Sequence, residues 1–143
     1  MVDVTILGAG ILGLSTAWAC MARGARVKVI DPNGVAAGAS GGILGALAPH
    51  TPENWNDKKA FQLDSLLMAA DFWHGVVRAG GGDPGYGRVG RLQPIADDAA
   101  LALARARAVT ANKLWKGHAK WQVIPASEAR GLIPASPKGL LIH

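Results

Sequence analysis

Cysteine is almost absent: Cys20 stands alone among 143 residues. That excludes an internal disulfide and a cysteine-based metal cluster, and it accords with a reducing cytoplasm. Histidine is thin as well. His50, His74, His118 and His143 are scattered with no H-x-x-x-H spacing, so no metal site is expected. Aromatic residues make up only 6% of the chain and never interleave with its basic residues to form a groove. The formal charge of +5, from 15 basic and 10 acidic residues, therefore does not point to a nucleic-acid partner. Arg105, Arg107, Lys113, Lys116 and Lys120 fall on one predicted helix and its end and read as a solvated face. Residues 4–22 lack charge and approach the length of a membrane span, but three glycines at turn spacing and Asp3 just ahead of them oppose that reading. No basic residue precedes the run, as a signal peptide would require. There is no internal repeat. The 50% hydrophobic content suffices for a core.

What is present is concentrated in the first 31 residues. Val4 opens V-T-I-L-G-A-G-I-L-G-L-S-T-A, a helical stretch follows, and R-V-K-V-I-D closes at Asp31. A G-x-G-x-x-G alone is a weak signal. Here it has an apolar strand before it, a small residue at Ala17 and a second apolar strand ending in an acid, which is the full pattern of a dinucleotide-binding βαβ unit. Gly8 lets the chain turn out of the first strand, Gly10 leaves no Cβ against a pyrophosphate, and Gly13 with Ala17 keeps the helix close to the sheet. A helix over 11–23 aims its N-terminal N–H groups and positive dipole end at phosphate, with Gly24 its expected C-cap. Asp31 is placed to accept from the ribose hydroxyls and to repel a 2′-phosphate. The competing reading is a glycine-rich turn joining strand to helix in another α/β fold.

Next comes a segment with five glycines between Asp31 and His50. Its backbone can approach an extended ligand, with Ser40 and the N–H groups of Gly41 and Gly42 available to phosphate or ring oxygens. Ile43, Leu44, Leu47 and Pro49 favour a packed loop over a flexible linker. Apolar spacing then predicts a long helix over 56–79, stopped by Gly80, Gly81 and Gly82. A strand is expected within 85–95, a second helix N-capped by Asp97 or Asp98 and running to about residue 115, and a strand over 121–124. A short helix over 128–132 capped by Ser127 and a strand beginning at 139 complete the reading. No third parallel strand is evident, so the order implies a cofactor-binding domain interrupted by a second one.

With both halves in view, the sequence resembles the D-amino-acid oxidase and glycine oxidase family of FAD-dependent oxidoreductases. The carriers are G-A-G-I-L-G with Asp31, the stretch A-G-A-S-G-G-I-L-G-A over 37–46 and, more weakly, G-R-L-Q over 90–93. The resemblance implies an α/β, Rossmann-like FAD-binding domain over 1–85, interrupted by the start of an α+β substrate domain over 86–143. It implies FAD as cofactor, with Gly8, Gly10, Ile11, Leu12 and Gly13 facing the ADP phosphates and Asp31 facing the ribose. Ala39, Ser40, Gly41, Gly42, Ile43 and Leu44 would lie along the pyrophosphate and flavin. The implied reaction oxidises the C–N bond of an amino acid or related amine by hydride transfer to flavin, with imine hydrolysis following. No catalytic residue is assigned within the chain, and His50 reads as a surface loop histidine. Such enzymes are much longer, so the chain is expected to be an N-terminal portion whose apolar edges promote self-association. Two rivals are a non-catalytic nucleotide-binding module and an NAD-dependent dehydrogenase domain; the loop over 37–46 separates FAD from NAD.

Overall fold

The computed structural model describes residues 1–143 and divides them into two compact units, Met1–Leu47 and Ala48–His143. In the first, strand β1 (Val4–Leu7) leads into helix α1 (Ile11–Met21), which returns the chain to strand β2 (Val27–Ile30). The strands pair in parallel, Val4 opposite Val27 through Leu7 opposite Ile30. This is the βαβ unit that the alternating apolar residues predict. Helix α1 is shorter than expected, ending at Met21. The reason is a Schellman turn: Gly24, at φ +85°, donates to the Met21 carbonyl at 2.9 Å and Ala25 donates to the Cys20 carbonyl at 3.1 Å. The left-handed conformation at Gly24 is one a Cβ would oppose.

Asp3 and Arg26 lock the entry to this unit. The Arg26 side chain donates from Nε and Nη2 to the Asp3 carboxylate at 2.9 and 2.8 Å, and its main-chain N–H donates at 2.9 Å. These bonds, the side-chain ones foremost, pull the Asp3 carboxyl from its ordinary 3.8 to about 2. A depressed folded-state pKa contributes stability above the unfolded value that is lost as pH falls through the folded one. Asp3→Asn is therefore expected to lower the unfolding midpoint at about pH 5 and to match the parent at about pH 2. Paired urea melts at the two pH values check this; an equal deficit at both would mean the charge is irrelevant.

In the second unit, helix α2 (Asp57–Arg78) is N-capped by Asn56, whose side chain accepts from the Lys59 N–H at 3.1 Å. It ends in the same Schellman geometry as α1. Gly80, at φ +96°, donates to the Val77 carbonyl and Gly81 to the Val76 carbonyl, both at 3.1 Å. Helix α3 (Asp98–Leu114) starts at an Asp97 cap that accepts from Ala100 N–H at 2.7 Å. Three short strands, β3 (Gln93–Pro94), β4 (Val123–Pro125) and β5 (Leu140–Ile142), form an antiparallel sheet in the order β3-β5-β4.

Several expectations need correction here. The strand foreseen within 85–95 shrinks to Gln93–Pro94, because Gly85 and Gly90 take left-handed φ values of +63° and +82° that end any extended run. The strand foreseen over 121–124 lies at Val123–Pro125. The helix foreseen over 128–132 is instead a 3₁₀ turn, Ala126–Glu128, with no side-chain cap from Ser127; Gly131 at φ +84° and Pro134 prevent its extension. The loop carrying Ile43 and Leu44 is not packed: they are 108% and 87% exposed, and Leu47 is exposed as well.

The core of the second unit has two centres. Leu63, Ala111 and Trp115 bring α2 and α3 together, and Ile95, Ala104 and Ile142 seat α3 on the sheet. Trp121 packs against both. Arg107 lies 5.5 Å from the Trp121 ring centroid and pairs with Glu53, so the segment before α2 is fastened to α3 by a partly buried ion pair with a cation–π contact. Lys59 adds a second strap by donating to the carbonyls of Thr51 and Glu53.

Candidate functional site

The site is built wholly from the first unit, at the C-terminal ends of β1 and β2. Gly8 leaves β1 at φ +105°, a conformation that favours glycine, and its N–H donates to the Ile30 carbonyl at 2.8 Å. The chain then enters α1 at once. A Cβ built on Gly13 would collide with the Gly8 carbonyl oxygen and lie 3.4 Å from Ile6 Cγ2. Together with buried Ala17, this is the close helix-to-strand approach for which small residues are needed.

The first turn of α1 exposes the donors that have no partner within a helix. The Ile11 N–H meets Ser40 Oγ at 2.9 Å. The Leu12 and Gly13 N–H groups have no acceptor in the chain, and no acidic side chain stands in that turn. Oriented donors at a positive dipole end suit a phosphate oxygen. A Cβ on Gly10 would come within 3.0 Å of Ser40 Oγ, so the bare backbone at Gly10 makes room for the hydroxyl that accepts from Ile11.

Asp31 directly follows β2 and has two tasks. Its Oδ2 accepts from the Ala9 N–H at 2.8 Å and its Oδ1 accepts from the Asn33 N–H at 2.8 Å. The first bond ties the glycine turn to the second strand; the other is an Asx turn opening the D-P-N-G segment. These bonds, Ala9 foremost and Asn33 next, hold the carboxyl below its ordinary 3.8. Asp31 is thus an anion at neutral pH, and each oxygen keeps a lone pair for a hydroxyl donor.

Ala39, Ser40 and Gly41 form a 3₁₀ turn and Gly42 follows in extended conformation. The loop is fixed to the glycine turn by the Ala36 N–H, which donates to the Ala9 carbonyl at 3.0 Å while Ala36 takes φ +56°. A Cβ on Gly41 would overlap the Ala36 carbonyl oxygen, which explains a glycine there without reference to any ligand. So Gly8, Gly10, Ile11, Gly13, Asp31 and Ser40 are gathered around one helix end. Ile43 and Leu44 make no such contact and project outward. Ala9, Asn33 and Ala36 were missed in the sequence. Asp31 ahead of a proline would have marked the main-chain N–H of residue 33 as an Asx-turn donor, whereas nothing in the sequence marks Ala36. No group of three or more His, Cys, Asp or Glu residues is placed to share a metal ion.

Nothing among solved structures matches the chain. Among curated proteins, the tRNA 5-methylaminomethyl-2-thiouridine biosynthesis bifunctional protein MnmC of Psychrobacter cryohalolentis is 44% identical over 48 residues, which are 34% of this chain and 7% of the relative. The match thus spans a small part of that protein. Residues 3–143 match the DAO family, described as FAD dependent oxidoreductase. Matched over all but its first two residues, the chain belongs to the DAO family of FAD-dependent oxidoreductases.

Proposed function

We propose that residues 1–85 contribute to an FAD-binding domain and that 86–143 begin an α+β substrate domain inserted into it. The observation carrying this reading is the meeting of three groups at one helix end: the unpartnered N–H groups of Leu12 and Gly13, the Ser40 hydroxyl and the ionised Asp31. Gly8, Gly10, Ile11, Leu12 and Gly13 hold the ADP phosphates in this reading, and Asp31 accepts from the ribose hydroxyls. Ala39, Ser40, Gly41, Gly42, Ile43 and Leu44 run along the pyrophosphate and flavin. The outward projection of Ile43 and Leu44 supports their part in it, since apolar side chains free of the fold can cover a flat ring system.

Bound FAD supplies the hydride acceptor for oxidising the C–N bond of an amino acid or related amine. The chain's own residues bind and orient; none of them transfers a proton in this scheme. The relative's name includes a methylaminomethyl group, itself an amine, which supports C–N chemistry over other oxidations. No helix is long and apolar enough to cross a membrane, and we place the protein in the cytoplasm with a small-molecule substrate. The exposed Leu7, Ile30 and Leu47 favour self-association.

The test is cofactor retention. The purified chain should carry a flavin absorption spectrum, and the released cofactor should have the mass of FAD; NAD in its place would establish the dehydrogenase alternative. Asp31→Lys should weaken FAD binding by about tenfold or more, through loss of the ribose acceptor and of the Ala9 bond. Gly10→Val should abolish it, because the side chain takes the space beside Ser40. Undiminished flavin in a folded Gly10→Val variant would put the phosphates elsewhere.

A further inference from the structure

Between the first turns of α2 and the end of α3 lies a cleft of about 410 Å³, within the range of small-molecule sites. Leu63, Leu67 and Leu114 give it apolar wall, and Trp55 joins them. The turn that follows α3 supplies the polar side. His118 N–H donates to the Trp115 carbonyl at 2.8 Å, and the two residues between, Lys116 and Gly117, take φ +49° and +82°, the pattern of a type I′ turn. Glycine accepts this conformation freely and asparagine tolerates it, as Asn54 does at φ +50° just ahead of Trp55. Lysine has no such allowance, and asparagine is the residue such a turn favours before glycine. A lysine past a helix end can serve the helix dipole, but Lys113 already stands in the last turn of α3. The strained backbone at Lys116 thus carries a side chain with a task of its own, and that side chain lines the cleft.

Lys113 stands one turn of chain from Lys116 and lines the same cleft. Neither lysine is paired: the ion pairs of the chain join Arg26 to Asp3, Arg107 to Glu53 and Lys138 to Asp98. Arg88 brings a further cation to this turn by donating to the His118 carbonyl. Against these stand Asp64, also unpaired and also lining the cleft, and about half a negative charge at the α3 C-terminus. Positive charge prevails beside an apolar wall that includes an indole. Such a wall suits a flat ring, which can pack on tryptophan, and the ammonium groups suit an anion attached to it. We propose that this cleft binds an organic anion with an aromatic body, its ring against Trp55 and its anionic group held by Lys113 and Lys116. The site goes beyond the flavoprotein reading and uses none of its cofactor residues.

The test titrates the 143-residue chain with 2-naphthalenesulfonate and with neutral 2-naphthalenemethanol, following binding by ligand-observed NMR. The sulfonate should saturate with a dissociation constant on the order of 1 mM. The alcohol, lacking the charge, should bind about fivefold more weakly. Inorganic sulfate, lacking the ring, should displace the sulfonate only at about tenfold higher concentration. Lys116→Asn should relieve the turn and raise the urea midpoint, yet cost about fivefold in affinity for the sulfonate. A lysine that served the fold alone would not separate the two readings. Lys113→Gln should cost a similar factor, and Asp64→Asn should tighten binding about threefold by removing the opposing charge. Arg105→Gln, about two turns back along α3, should leave affinity unchanged. Equal affinity for sulfonate and alcohol, displacement by sulfate at matching concentration, or full affinity in Lys116→Asn would overturn the proposal. FAD retention is measured separately, so either conclusion can fail alone.

Discussion

Gly13→Ala is expected to unfold the glycine-turn end of the first unit. A methyl group is ordinarily the mildest change a helix can receive, worth about 1 kcal/mol in favour of alanine. Here geometry reverses the sign. The new Cβ would overlap the Gly8 carbonyl oxygen and lie 3.0 Å from the Gly8 carbonyl carbon, and neither is the end of a flexible side chain that could swing aside. The strain can be relieved only by lifting α1 from β1 or by rotating the Gly8 peptide. The first loses the contact of Ala17, one of few buried residues in this unit; the second turns the Ala9 N–H, on the same peptide as the Gly8 carbonyl, away from Asp31 Oδ2. A cost of about 3 kcal/mol follows from overpacking of this severity, a large fraction of a marginal stability of about 5–15 kcal/mol. Hydrogen exchange should show α1 amides losing protection, and FAD should no longer be retained. Gly75→Ala is the control: this glycine lies inside α2 with nothing within 4 Å of its would-be Cβ, so stability should rise by about 0.5–1 kcal/mol. If both changes stabilise, the close packing at Gly13 is not what the glycine provides.

The contrast between Gly13 and Gly75 also shows what the sequence could reveal. The G-x-G-x-x-G spacing announces Gly13 because a recurring physical task fixes its position relative to the two strands. Cap signals were equally legible: Asp97, Gly24 and Gly80 all act where local chemistry predicts, since a cap depends on neighbours a few residues away. Strand pairing was not legible. Gly139 and the apolar residues after it read as the start of a strand, yet nothing local indicates that Leu140–Ile142 is the central strand of an antiparallel sheet or that its partners are Gln93–Pro94 and Val123–Pro125. The first of those pairings joins Gln93 to Ile142 across helix α3 and both bring together residues far apart in the chain, a relation that hydrophobic periodicity does not encode. Within the cofactor site, Asp31 was found for its position at a strand end, but its bonds to Ala9 and Asn33 give it a structural task as well. The expectation of a packed loop at Ile43 and Leu44 failed for a related reason: apolar composition identifies side chains that need a partner, and cannot say that the fold itself supplies one.

Leu141→Ala should be the most damaging single truncation in the second unit. Leu141 is 0% exposed at the middle of β5, between Pro94 on one flank and Ile124 on the other. The sheet it centres is short, so few backbone bonds hold it and side-chain packing decides its stability. Removing three heavy atoms from such a position costs about 2–5 kcal/mol, the spread reflecting how far the surroundings collapse. Collapse is restricted here because Pro94 is rigid and the far side of β5 is already filled by Ile142 against Ala104 and Ile95. The loss should exceed that of Ile95→Val, about 1 kcal/mol at an equally buried position. Urea unfolding followed by the fluorescence of Trp115 and Trp121, which lie with ring centroids 6.2 Å apart in the same unit, gives the two values directly. A Leu141→Ala midpoint no lower than that of Ile95→Val would mean that β5 is held by its hydrogen bonds. The packing beneath Leu141 would then have little part in setting the register that pairs it with Pro94 and Ile124.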